Sequence, residues 1–165
     1  LRWAIRQEAK PIAIRVPSNG VVHTTEDVDE EYSYTPKYKV AHEGSQVAII
    51  AAGSFYQKGE NVAHLLAEKG IDATLINPRY LHAVDAEALE SLKARHQLVV
   101  TLEDGCKDGG FGERIASYYG TSDMKVLVCG VKKNLYDRFD HQQLLADNRL
   151  LANQIADDIL NIIKK

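Results

Sequence analysis

Three kinds of group in this chain of 165 residues carry the chemistry a site needs. The first is guanidinium. Arg15, in Pro11-Ile-Ala-Ile-Arg-Val-Pro17, and Arg79, in Asn77-Pro-Arg-Tyr80, present the planar fork that holds a phosphate through two parallel N–H bonds. Ahead of that stands the structural reading, a paired arginine or one with its apolar stem laid along the surface. The second group is the backbone amide. Glu103-Asp-Gly-Cys-Lys-Asp-Gly109-Gly-Phe-Gly112 joins an apolar run to a helical pattern, and unpaired amides at a helix start can hold an anion. Asp104, Asp108 and Glu113 surround that turn and repel one, so close packing or a domain contact competes with phosphate binding.

The third group is the thiol. Cys106 lies in the glycine-rich turn and is compatible with reactivity, whereas Cys129, in Lys125-Val-Leu-Val-Cys-Gly130, reads as a small core residue. Two cysteines make no disulfide framework, which points to a reducing cytosol. His23, His42, His64, His82, His96 and His141 are dispersed, and neither cysteine has a ligand at finger-like spacing, so no metal site is expected. His64 falls inside a helical pattern and His96 near a helix end, where they read as surface or dipole-compensating residues. No G-x-G-x-x-G, Walker A loop, G-x-S-x-G elbow or kinase signature occurs. Motifs therefore assign no catalytic residue.

The elements that must position these groups alternate. Lys37 to His42 predicts a short edge strand, Val47 to Ala52 a buried strand, Tyr56 to Lys69 an amphipathic helix stopped at Gly70, and Ile71 to Ile76 a further strand. Asp85 predicts the cap of a helix with Ala88, Leu89 and Leu92 on one face. Leu98 to Leu102 reads as a central strand closed by Glu103-Asp104, followed by a helix from Gly112 to Tyr119. Lys125 to Gly130 predicts the fourth strand of this series, and His141 to Asp147 a helical turn. Ile155, Ile159, Ile162 and Ile163 form the apolar stripe of a last helix. Such alternation argues for a mostly parallel α/β sheet covered on both faces. Upstream, Leu1 to Ala9 reads as the end of a helix, Pro11 to Val16 as a strand, and Ser18-Asn19-Gly20 as a turn. Residues 21–36, with the acidic run Glu26, Asp27, Asp29, Glu30 and Glu31, read as a solvated linker, with an acidic partner-binding loop as the alternative. The division expected is 1–20, 21–36 and 37–165.

Twenty Lys and Arg against 23 Asp and Glu give a net charge of −3, which provides no basic surface for nucleic acid or an anionic membrane. No apolar stretch is long enough to span a bilayer. The start at Leu1-Arg-Trp, without methionine, points to a piece of a longer chain.

Several segments together resemble one family. Leu75-Ile-Asn-Pro-Arg-Tyr-Leu-His-Ala-Val-Asp85 is similar to a segment of 1-deoxy-D-xylulose-5-phosphate synthases. Val99-Val-Thr-Leu-Glu-Asp-Gly105 with Gly109-Gly-Phe-Gly112 resembles the strand and glycine turn that follow there, and Leu150 to Asp158 their closing helix. Pro11 to Pro17 is similar to the end of their preceding, pyrimidine-binding domain. The resemblance implies a transketolase-type C-terminal domain: a three-layer sandwich around a mostly parallel five-stranded sheet with one antiparallel edge strand. It further implies a cytoplasmic homodimer that uses thiamine diphosphate and Mg²⁺ to join pyruvate to glyceraldehyde 3-phosphate. The C-terminal domain would aid dimerisation and active-site closure. Arg15 matches the first arginine of the family's arginine-tyrosine-proline-arginine-glycine segment and would bind substrate phosphate. Here Val16 replaces the tyrosine, and Ser18-Asn19-Gly20 stands where the second arginine and glycine belong. The cofactor motifs are absent, so no catalytic, cofactor or metal residue is assigned, and this piece alone is expected to be inactive and to bind no cofactor. The C-terminal domains of transketolases and of 2-oxo-acid dehydrogenase β subunits, and a freestanding nucleotide- or partner-binding module, are the competing readings.

Overall fold

The structure is a computed structural model that describes residues 1–16, 20 and 31–164. It divides into two units, Leu1–Thr35 and Pro36–Lys165. In the first, helix α1 (Arg2–Ile5) is a single turn. Trp3 packs its ring against Tyr32 and Tyr34, with centroids 5.9 and 5.8 Å apart. Tyr34 donates its hydroxyl to Gln7 Oε1 at 3.1 Å, and Arg6 pairs with Glu31. The strand expected over Pro11 to Val16 does not form: residues 11–16 have no regular secondary structure, and Ile14 and Val16 are exposed. Among the described residues of this unit there is no strand to pair with, and an isolated strand leaves its amides and carbonyls to water. The turn residues Ser18 and Asn19 and the acidic stretch 21–30 lie outside the described residues.

The second unit is built on β1 (Lys39–His42), β2 (Gln46–Ala51), β3 (Thr74–Asn77), β4 (His96–Cys106) and β5 (Lys125–Val131), ordered β1-β3-β2-β4-β5. β1 pairs antiparallel with β3 at one edge, and the other pairings are parallel. The helices are α2 (Tyr56–Ala67), α3 (Ala86–Leu92), α4 (Phe111–Tyr119), α5 (His141–Asp147) and α6 (Ala152–Ile163).

Period-two alternation along the central strands splits the core into two layers. Val47, Ile49, Ala51, Leu98, Val100 and Leu102 face Val62 and Leu66 of α2 and Ile155 and Ile159 of α6. Ala48, Ile50 and Val99 face Leu89 and Leu92 of α3 and Ile115 and Tyr119 of α4. This is the expected three-layer sandwich with one antiparallel edge strand. Most elements fall within a few residues of their predicted ends. β4 is the exception: the chain continues in strand conformation through Glu103 and Asp104 to Cys106, which pairs with Val131 after an irregularity. Those two acidic residues therefore sit inside the strand, pointing to opposite faces.

Asp85 does what its position predicts and more. One carboxylate oxygen accepts the Ala88 amide at 3.2 Å as the N-cap of α3. The other accepts the Tyr38 amide at 2.9 Å, which fixes the entry of β1 against the start of α3. The residue is buried, so its loss strands two donors. Asp85→Ala is expected to lower unfolding free energy by about 2–3 kcal/mol, with Asp85→Asn milder. Urea denaturation of the chain measures both, and an unchanged midpoint for the alanine variant would contradict this role.

Candidate functional site

In a sheet of this order the ligand crevice is expected where the connections diverge, outside the carboxyl ends of the strands. Here that place lies between β2 and β4. The chain leaves β2 through α2 on one face towards β3, and leaves β4 through α4 on the other face towards β5. Gly53 turns the chain after β2 with φ +56°, and the glycine-rich turn follows β4.

Three sets of hydrogen bonds fill this crevice with the protein's own groups. Ala52 N–H donates to the Leu102 carbonyl at 2.9 Å, extending the ladder past the end of β2. Ser54 Oγ donates to Asp104 Oδ2 at 2.8 Å, spanning the two strand ends. Glu103 takes the position an anion would occupy: its Oε2 accepts the Phe111 amide at 3.0 Å and its Oε1 the Gly112 amide at 2.9 Å. The first amides of α4 are thus satisfied by a buried carboxylate, the charge best suited to a helix N-terminus. Gly109 N–H donates to Glu113 Oε2 at 2.7 Å, closing the turn on itself.

The glycines are there for the approach. A Cβ on Gly112 would stand 2.4 Å from Thr101 Oγ1 and 2.5 Å from Val128 Cγ1, and one on Gly110 2.6 Å from both Glu103 carboxylate oxygens. Without side chains at these points α4 lies low enough on β4 and β5 for Glu103 to reach its amides. In sequence, the acidic residues around the turn read as repelling an anion and Glu103 as a strand end. The signal for its role is that Glu103 follows Thr101 by two residues, on the sheet face that the glycine-stripped helix covers.

The other candidate groups are dispersed. Arg79 adopts a left-handed backbone, φ +56°, and its guanidinium donates to the Lys37 carbonyl at 3.2 and 3.4 Å. Its amide donates to Asn77 Oδ1 at 3.1 Å. It braces the loop after β3 to the start of β1. Arg15 lies in the other unit, exposed in the segment 11–16, which forms no strand. Cys106 is half-buried, with Sγ 3.7 Å from Asp108 Oδ2. Cys129 is buried, and that burial pushes its thiol up to about 12, which makes it an inert core residue. His96, read from sequence as a surface or dipole-compensating residue, is 9% exposed at the start of β4, with its ring bonded to the Leu92 carbonyl at the end of α3.

These residues do not fit thiamine diphosphate or Mg²⁺. Among the described residues no group of three or more His, Cys, Asp or Glu can hold a metal ion, and the amides that might cradle a diphosphate already hold Glu103. They equally leave no phosphate seat for a nucleotide at the crevice. No helix among the described residues is long and apolar enough to cross a membrane.

Known proteins match the chain at three levels. The family model for the transketolase C-terminal domain matches residues 36–155. The 1-deoxy-D-xylulose-5-phosphate synthase of Rippkaea orientalis (strain PCC 8801 / RF-1) is 35% identical over 157 residues, covering 92% of this chain and 24% of that synthase. The synthase of Alkaliphilus oremlandii (strain OhILAs) is 30% identical over 164 residues, covering 96% of this chain and 26% of its own length, which carries the match through the segment around Arg15. The chain thus spans about a quarter of the length of the curated relatives it matches. A solved split-gene transketolase, described as an inactive beta4 tetramer, superposes with a TM-score of 0.69 at 25% identity, covering 82% of this chain and 44% of that one.

Two substitutions test the crevice. Glu103→Ala strands two buried amides and is expected to lower stability by about 2–4 kcal/mol; Gly112→Ala, which drives a methyl into Thr101 and Val128, by about 1–3 kcal/mol. Calorimetric titration of the parent chain with ATP or NAD should show no saturable heat. Tight nucleotide binding, or stability unchanged in both variants, would overturn this reading of the crevice.

Proposed function

This chain belongs to the transketolase C-terminal domain family, and from that premise we propose that it is the C-terminal portion of a 1-deoxy-D-xylulose-5-phosphate synthase. The reaction proposed for the longer protein joins pyruvate to glyceraldehyde 3-phosphate with loss of carbon dioxide, towards isoprenoid precursors. The observation that carries this reading is that synthases match 92% and 96% of the chain, more than the domain alone spans. Residues 1–20 are then the end of a pyrimidine-binding domain, 21–36 a linker, and 37–165 the C-terminal domain, which serves dimerisation and active-site closure in a cytoplasmic homodimer.

Thiamine diphosphate, held with Mg²⁺ by other parts of the longer chain, supplies the carbanion chemistry when bound. Within this chain the proposed contribution is Arg15, whose guanidinium would hold the acceptor's phosphate by charge-assisted hydrogen bonds. The likeness to a split-gene transketolase supports a second reading, a transketolase C-terminal domain, in which the acceptor differs.

The test is to express the full reading frame that includes this segment and assay it with pyruvate, glyceraldehyde 3-phosphate, thiamine diphosphate and Mg²⁺. Carbon dioxide release with formation of 1-deoxyxylulose 5-phosphate is expected, and the 165 residues alone should turn over no pyruvate. Arg15→Ala should raise KM for glyceraldehyde 3-phosphate by about 10- to 100-fold, the worth of a charged hydrogen bond, with KM for pyruvate little changed. Ketol transfer between sugar phosphates without pyruvate consumption would favour the transketolase reading. An unaltered KM in the Arg15 variant would remove the phosphate role while leaving the family reaction intact.

A further inference from the structure

At the amino end of the sheet a single imidazole joins four segments of chain. His96 Nδ1 lies 2.9 Å from the Leu92 carbonyl. A carbonyl only accepts, so Nδ1 carries the proton and Nε2 offers a lone pair. Nε2 is 2.8 Å from Thr74 Oγ1, whose hydroxyl therefore donates to it. Thr74 Oγ1 in turn accepts the Gly44 amide at 2.9 Å. Donation runs one way, from Gly44 N–H through the Thr74 hydroxyl and the His96 ring to Leu92 C=O. It links the turn after β1, the start of β3, the end of α3 and the start of β4. The turn is pressed close: a Cβ on Gly44 would lie 2.1 Å from the Asp72 carbonyl oxygen, and Ser45 N–H donates to that same oxygen at 2.8 Å.

We propose that His96 is a proton-sensitive latch on the edge strand β1: its neutral ring holds the turn at residues 43–45 against β3 and β4, and a proton on Nε2 releases it. A doubly protonated ring donates at both nitrogens. Thr74 Oγ1 would then have to accept from the ring as well as from Gly44, and its own hydrogen would lose its acceptor. Thr74 is 3% exposed and His96 9%, so water does not replace what is lost, and a stranded buried donor is costly.

Charged groups stand on the elements packed against the ring. Arg95, on the same turn, pairs with Glu43 at 3.3 Å. Lys93 and Glu90 pair at 2.7 Å at the end of α3. His42 of β1 pairs with Asp72 at 2.6 Å. Burial first, and then Arg95, pull the His96 ring below its ordinary value, against the Leu92 hydrogen bond that raises it. In the opened or unfolded chain a histidine titrates near about 6.5. The latch therefore contributes fully above that pH, and its contribution falls away as pH drops below it towards the lower folded value.

Amide hydrogen exchange on the intact chain, corrected for intrinsic rates, tests this between about pH 7.5 and pH 5. Protection of Gly44 and Ser45 should fall over that range, while Val99 and Val100 in the central strand hold theirs. In His96→Asn the protection of Gly44 and Ser45 should no longer depend on pH, whereas His42→Asn should keep the parent's profile. Undiminished protection at the acid end, or a pH dependence that survives in His96→Asn, would overturn the latch. If His96→Asn does not fold, the ring nitrogens of His96 are followed by NMR in the parent chain. Their titration must coincide with the loss of Gly44 protection, and a mismatch would equally overturn it.

Discussion

The seating of Glu103 on the first amides of α4 is the constraint around which the carboxyl edge of this sheet is arranged. A helix start leaves several N–H groups without intrahelical partners, and in doubly wound folds those groups commonly meet a ligand's phosphate. Here the strand beneath supplies a carboxylate at 2.9 and 3.0 Å. Reaching it requires α4 to lie almost on the strand backbone, and only glycine at 110 and 112 leaves that space. The same geometry keeps β4 in strand conformation to Cys106 and leaves Asp104 on the opposite face to receive Ser54 across the strand ends. The crevice of this doubly wound sheet is thus closed by the protein's own groups.

Two further polar groups do comparable work where elements distant in sequence meet. Asp85 caps α3 and also takes the amide of Tyr38, so that the edge strand and the helix share one carboxylate. His96 ties the opposite end of the sheet through Thr74 to Gly44. All three are buried, and Asp85 and His96 bridge residues far apart in the chain. Each fixes a loop that apolar packing, which is non-directional, would leave free to slide.

Much of the architecture was legible beforehand because the physical signals are local. The apolar runs at 47–51 and 98–102, the isoleucine stripe at 155, 159, 162 and 163, and Asp85 ahead of Ala88, Leu89 and Leu92 depend only on periodicity and capping chemistry. Pro11 to Val16 carries a similar apolar run yet forms no strand, since a strand exists only by pairing. His96 follows a helix and so reads as a surface or dipole-compensating residue. Its burial comes from Gly44 and Thr74, which the fold brings to it from 52 and 22 positions away.

Sequence alone determined the family, the alternation of elements and the two-sided core, because these follow from spacing along one stretch of chain and from motifs read in order. Tertiary structure decided the use of the polar groups: that Glu103 is a resident anion rather than a strand end, that Arg79 braces a loop, and that Cys129 is inert. The state of a polar side chain depends on which partners reach it and how much water remains, and both are set by residues the linear sequence does not place beside it.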